Sequence, residues 1–282
     1  MWGVRPENAY NCFHRRYRKL IHSAVEENNY QYQYGFADQH ADVMYDLETR
    51  TQKAQKVLAV LLDYYSGETK NLKVLDIGCS TGIISYILSE KFGEVNGIDI
   101  DKNAVKFATE KYKRSNLFFA EQDGMHLKYP AGSFDIVVCS HIYEHIPDME
   151  KLMAEAYKVL KPGGICFFAA VNRLKIMEDD HRLPFLSILP RSIGKWYVRF
   201  FRKEKDYYER TRTYWGLRSL VAAFERIDYT IKILQEPEKF QATDMVKTGT
   251  IKQKLALLFV RLAYGFFPTY IWLLEKPPEE KC

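Results

Sequence analysis

From Lys73 onward, short apolar runs alternate with stretches of helical periodicity. The runs at 74–77, 94–98, 117–120, 134–139 and 165–171 are bounded by turn residues and predict strands. Between them, 82–92, 102–113 and 149–160 carry helical spacing. Strands alternating with helices predict a parallel sheet covered on both faces. Upstream, 46–65 predicts a helix with Ala54, Val57, Leu58, Leu61 and Tyr65 on one face and Gly67 ending it. Residues 1–45 are polar and aromatic, with "NNYQYQYGF" at 28–36, and predict an irregular or helical arm.

The rhythm breaks after Asn172. Residues 173–214 mix basic and aromatic residues and predict an insertion, after which a helix at 215–224 and a strand at 229–234 resume the pattern. The last apolar stretch, 255–274, is about as long as a membrane span, but Arg261, Pro268 and the strand-like "TYIWLLEK" favour a helix packed on the sheet and a final strand. The chain therefore reads as one α/β domain over 46–282, preceded by an arm and interrupted by a cap at 173–214.

Composition narrows this picture. A chain of 282 residues that is 47% hydrophobic can bury a sizeable core. Its net charge of +5, without a run of like charges or an appended basic module, points away from nucleic acid. The five cysteines are scattered without a CxxC pair, which argues for a reducing compartment and against a zinc site. The first residues lack an apolar leader-like run, so a cytoplasmic location is expected.

Candidate chemistry sits where the predicted strands meet their helices. The first junction reads "VLDIGCSTGIIS". Gly78 and Gly82 permit a tight turn and close approach of a ligand to the main chain. The spacing is neither that of a dinucleotide fingerprint nor that of a phosphate loop. Asp76 repels phosphate and suits an amine-bearing ligand. Asp99 ends the second strand, 23 residues on, close to the offset at which an acid receives ribose hydroxyls. Its bland alternative is a helix N-cap, a role for which Asp101 competes. Ile100 could pack on a purine. In "AEQDGM", Asp123 could accept from an exocyclic amine and the amides of Gly124 and Met125 could address ring nitrogens, or the segment is an ordinary Asp-Gly turn.

These segments, with "AEQDGMHLKYPAGSFDIVVCSHIYEHIPD" and "VLKPGGICFFAAV", resemble the class I S-adenosylmethionine-dependent methyltransferases. The resemblance covers about residues 45–171 and implies a Rossmann-like sheet. It implies that Gly78, Gly82 and the backbone of residues 76–80, Cys79 and Ser80 included, hold the methionine end of the cofactor. Asp99 would bind the ribose, Ile100 would flank adenine, and Asp123, Gly124 and Met125 would read its edge. Ser140 and His141 would approach the sulfonium. The family often has glycine where this chain has Ser80.

Methyl transfer requires alignment of the acceptor and, for a neutral oxygen, a base. His141 and His145 in "CSHIYEHIPD" are the candidate bases, or a hydrogen-bonding wall of the pocket. Their spacing alone does not support a metal site, and no metal is expected. His181, Tyr207, Tyr208 and Tyr214 are candidate acceptor contacts. The segments 181–203 and 255–274 are either cap and core or places of peripheral membrane contact. The expected function is transfer of a methyl group to a small molecule, foremost an oxygen of a hydrophobic or lipid-linked compound. The alternatives are a soluble sugar or secondary metabolite as acceptor, and a silent cofactor-binding scaffold or partner subunit.

Overall fold

The computed structural model describes Ala37 and residues 46–178, 181–202 and 207–278. Apart from Ala37, the expected arm lies outside the described residues. Helix α1 (Leu47–Tyr64) begins where the Asp46 carboxylate accepts the amides of Glu48 and Thr49, and it buries Ala54, Val57, Leu58, Val60 and Leu61. Then follow β1 (Lys73–Ile77), α2 (Ile83–Leu88), β2 (Glu94–Asp99), α3 (Lys102–Lys111), β3 (Leu117–Glu121) and β4 (Phe134–Ser140). After a 3-10 turn at Tyr143–His145 come α4 (Met149–Val159) and β5 (Leu160–Val171). The cap holds α5 (Arg191–Arg202), and α6 (Tyr214–Leu220), β6 (Glu225–Asp228), α7 (Thr230–Gln235), α8 (Ile251–Ala263) and β7 (Thr269–Glu275) complete the chain.

The seven strands form one sheet in the order β3-β2-β1-β4-β5-β7-β6. β1 to β5 pair in parallel, and β7 runs antiparallel between β5 and β6. Strand residues alternate between the two faces. Val137, Phe168 and Leu274 enter one core with α4, α6 and α8. Val138, Phe167 and Leu273 enter the other with α1 and α2. The strand order reverses between β1 and β4, which opens a crevice at their carboxyl ends.

Two parts of the sequence pattern fold otherwise than expected. The run at 229–234 is not a strand: β6 lies just upstream, and Thr230–Gln235 is helical. Its Tyr229 and Ile233 are one helical turn apart and both buried, so the same apolar residues satisfy a helix once Asp228 accepts the Thr230 amide. The helix after β1 is short, ending at Leu88, because the chain turns back at Gly93 to pair with Leu72. The stretch 255–274 is a helix followed by a strand, and among the described residues no helix is long and apolar enough to cross a membrane.

Candidate functional site

A cavity of about 440 Å³ fills the crevice. The turns after β1, β2, β3 and β4 line one part of it, α1 a second, and the cap a third. At the first turn the main chain is held by its neighbour strand: the amides of Gly78 and Cys79 donate to the Ile98 carbonyl at 2.8 and 3.0 Å. Gly78 has φ +74°, and a Cβ there would lie 2.8 Å from Ile142 Cδ1. Ser80 also adopts the left-handed region, at φ 49°, a conformation that costs a side chain about 1–2 kcal/mol. Its amide donates to Asp99 Oδ2 at 2.8 Å, which holds the turn despite that cost.

Gly78 and Ser80 line the cavity, whereas Asp76, Cys79 and Gly82 stand behind it. Gly82 serves packing, since a Cβ would come within 2.7 Å of the Ala108 Cβ. Cys79 is buried, and burial pushes its thiol well above the ordinary range. Asp76 is 1% exposed and accepts the Ser85 hydroxyl at 2.6 Å. Burial pushes its carboxyl up to about 6. It therefore acts on a ligand through the turn rather than by touching it.

Asp99 lines the cavity at the end of β2, and Asp101 caps α3 by accepting the amides of Asn103 and Ala104. The cap role thus falls to Asp101. Asp99 receives the amides of Ser80 and Asp101, one on each oxygen, while burial raises its carboxyl above the usual range. Ile100, Asp123 and Gly124 continue the same wall. The Asp123 carboxylate already accepts the Met125 amide at 2.8 Å, and Met125 itself is fully buried outside the cavity. Met125 therefore shapes the turn instead of presenting its amide to a ligand. Gly124 has no room for a side chain: a Cβ would lie 2.8 Å from Ile77 Cγ2.

Arg50 was not among the expected residues. It sits on α1 four residues before Ala54, so the apolar stripe of that helix is continued by a cation. That was the available signal. Arg50 is half-buried and lines the cavity, and its buried Nε has no hydrogen-bond partner among the described residues. Burial lowers its pKa, and Asp76 and Asp99 oppose that fall. A half-buried cation with a buried, open donor on the same cavity wall as a glycine turn fits a carboxylate, the group at the amino-acid end of S-adenosylmethionine. The pairing of Asp99 with Arg50 across the turn fits the rest of that molecule: an acid for sugar hydroxyls, a cation for the carboxylate.

Ser140, His141 and His145 also line the cavity. His141 has φ 55° and follows β4, and His145 ends the 3-10 turn. About a third of the His141 side chain is exposed. Burial, with Lys53, Lys175 and Lys56 adding like charge, pushes it down to about 3. His141 is thus neutral at physiological pH and a feeble base. Glu144, whose Oε1 lies 3.8 Å from His141 Nδ1, is buried on the same wall.

The cap reaches the cavity through other residues than those expected. His181, Tyr207, Tyr208 and Tyr214 do not line it. Tyr207 is in a small cap core with Leu183, Leu186 and Val198. Tyr214 belongs to a ring cluster with Tyr264, Tyr270 and Trp272. His181 supports the wall from behind: its amide donates to Glu178 Oε2 at 2.7 Å, and its Nε2 lies 3.7 Å from Glu209 Oε2. Glu178, Glu209, Lys175 and Thr211 take the places on the wall. Burial opposes ionisation of Glu209, yet the nearby His181 and His145 hold its carboxyl below the ordinary range.

Residues 75–168 match the model of a methyltransferase domain, Methyltransf_11. The chain is 34% identical over 110 residues to the ubiquinone biosynthesis O-methyltransferase of Psychrobacter arcticus. That match covers 36% of this chain and 41% of the relative, so it spans about two fifths of that relative's length. It is 28% identical over 169 residues to the demethylmenaquinone methyltransferase of Listeria monocytogenes, covering 57% of this chain and 71% of the relative. Among solved structures, the methyltransferase in complex with the Haloferax volcanii Trm112 methyltransferase activator superposes with a TM-score of 0.53 at 18% identity, covering 87% of this chain and 98% of the other. The fold is shared across that range of sequence.

Proposed function

We propose that this chain, which carries a class I methyltransferase domain, moves a methyl group from S-adenosylmethionine to an oxygen of a small hydrophobic acceptor. The observation that carries the reading is that one cavity is lined both by Asp99, Arg50 and the Gly78 turn and by the carboxylates Glu178 and Glu209. The relatives named for ubiquinone biosynthesis and demethylmenaquinone methylation support a small hydrophobic acceptor. A cytoplasmic location accords with buried free thiols at Cys79, Cys139 and Cys166.

When bound, S-adenosylmethionine supplies a methyl group on a good leaving group, so the protein needs chiefly to position, desolvate and deprotonate the acceptor. Arg50 would hold the carboxylate end, the Gly78–Ser80 turn would offer it bare backbone, and Asp99 would accept from the ribose hydroxyls. Asp123 and Gly124 edge the adenine. His141, kept neutral, hydrogen-bonds at the centre. His145 takes the acceptor's proton, with the ionised Glu209 nearby to stabilise the resulting imidazolium. Glu178 and Glu209 accept hydrogen bonds from the acceptor, which favours a hydroxyl donor over an anion. No metal enters this scheme.

The test is formation of S-adenosylhomocysteine by the purified chain with a panel of polyprenylated phenols, demethylated naphthoquinols, sugars and amines. Turnover with the prenylated hydroxyl compounds is expected. Turnover confined to amines or sugars, or none although the cofactor binds, contradicts the reading.

A further inference from the structure

α5 turns its apolar side to water. Ile193, Trp196, Phe200 and Phe201 are 49%, 62%, 66% and 56% exposed, whereas only Gly194 and Val198 of this helix are buried. At 100° per residue, Ile193, Trp196 and Phe200 fall on one face, flanked by Tyr197 and Phe201. Trp196 stacks on Phe200 with ring centroids 5.5 Å apart. Arg191, Lys195, Arg199 and Arg202 occupy the opposite side, and the helix has no acidic residue. The helix has 12 residues, a length of about 18 Å, too short to span a bilayer of about 30 Å.

An apolar side with Trp and Phe and a polar side carrying only cations is the pattern of a helix lying in a membrane interface. A protein partner would be expected to meet some acidic positions as well. The Arg202 guanidinium donates to the His181 and Arg182 carbonyls, and the other cations of that side complement anionic headgroups, which long Lys and Arg side chains reach by snorkelling. The same cap contributes Glu178, Ser187 and Glu209 to the cavity wall, and α5 packs on that cap through Val198 against Leu186 and Tyr207. A bilayer seated on α5 would therefore lie beside the acceptor end of the site.

We propose that α5 docks in the plane of an anionic bilayer and that the acceptor is taken from that lipid phase. The second half rests on the methyltransferase reading; the docking does not. The full chain is co-sedimented with vesicles of phosphatidylglycerol and phosphatidylcholine, and with vesicles of phosphatidylcholine alone, at low and high salt. Binding to the anionic vesicles, weakened by salt, is expected. Trp196→Ala with Phe200→Ala, and separately Lys195→Glu with Arg199→Glu, should each lower partitioning at least about tenfold. All these positions are outside the cavity wall, so calorimetric affinity for S-adenosylhomocysteine should stay at the wild-type value. Leu258→Glu with Leu262→Glu tests the other exposed apolar helix, α8.

No binding to anionic vesicles overturns the proposal. So does binding that survives both α5 pairs and is lost with the α8 pair. Self-association in solution that the α5 variants abolish would assign the face to a second copy instead. If vesicles bind through α5 but no prenylated compound is methylated, the docking stands and the acceptor reading falls.

Discussion

At the Gly78 end of the cavity, main chain makes much of the wall, and the turns after β1, β2 and β3 fix it. At the cap end, side chains borne on a segment with its own small core make the wall. The first end tolerates little change because its geometry depends on residues that cannot be larger, such as Gly78, Gly82 and Gly124. The second end can be altered without moving the sheet, because Glu178, Glu209 and Lys175 sit on connecting chain. In the proposed scheme, cofactor and acceptor are thus recognised by parts of the molecule that can vary separately.

The largest expected effect falls on the turn. Gly82→Val forces a side chain against Ala108 and Phe119 at φ +83°, a cost of about 3–5 kcal/mol. A drop of about 10 °C in the thermal midpoint is expected in calorimetry; an unchanged midpoint would mean that the turn relaxes freely. At the cap end, His145→Ala should lower turnover about a hundredfold and leave S-adenosylhomocysteine affinity alone. Equal losses in both would make His145 part of the cofactor wall. Glu209→Gln should shift the pH profile of turnover while keeping the fold, and an unmoved profile would remove Glu209 from the proton path.

Smaller changes sharpen the contrast. Arg50→Met should weaken S-adenosylmethionine about tenfold, the value of a charge-assisted hydrogen bond, and leave a decarboxylated analogue unaffected. Equal weakening of both ligands would show that Arg50 only supports α1. The smallest effects are on stability against pH. His141, pushed down to about 3 from 6.5, takes up a proton more readily when unfolded. Its stabilising contribution is complete above pH 6.5 and is lost as pH falls toward 3, so His141→Gln should flatten the acid limb of thermal melts. Asp76 acts in the opposite sense. Its carboxyl is raised to about 6 from 3.8, so its contribution is present below pH 3.8 and lost as pH rises through 6. Asp76→Asn should gain stability at neutral pH, and a loss there would show that Arg50 keeps the carboxylate favourable.

The cofactor end was legible because a turn between strand and helix constrains residue type at fixed spacing. Gly78, Ser80, Asp99, Ile100, Asp123 and Gly124 all come to one wall. Spacing could not separate residues that touch the cavity from those that support it, so Asp76, Cys79, Gly82 and Met125 looked alike to their neighbours. At the cap, residue chemistry was a poor guide. Tyr207 and Tyr214 were attractive as aromatic contacts, yet apolar rings are consumed by packing, and the wall is left to Glu178 and Glu209. Arg50 escaped notice because a long-range contact, α1 against the first turn, brings it to the site. The run at 229–234 was misjudged for a related reason: a short apolar stretch suits a strand or a buried helix, and its neighbours decide which.

The most direct test of the central claim is calorimetric titration of the purified chain with S-adenosylmethionine, S-adenosylhomocysteine and NADH, repeated on Asp99→Ala. Saturable one-to-one binding of the two adenosyl compounds, none of NADH, and at least about tenfold weaker binding by the variant are expected. Binding of NADH without the adenosyl compounds, or affinity unmoved by Asp99→Ala, would contradict the account.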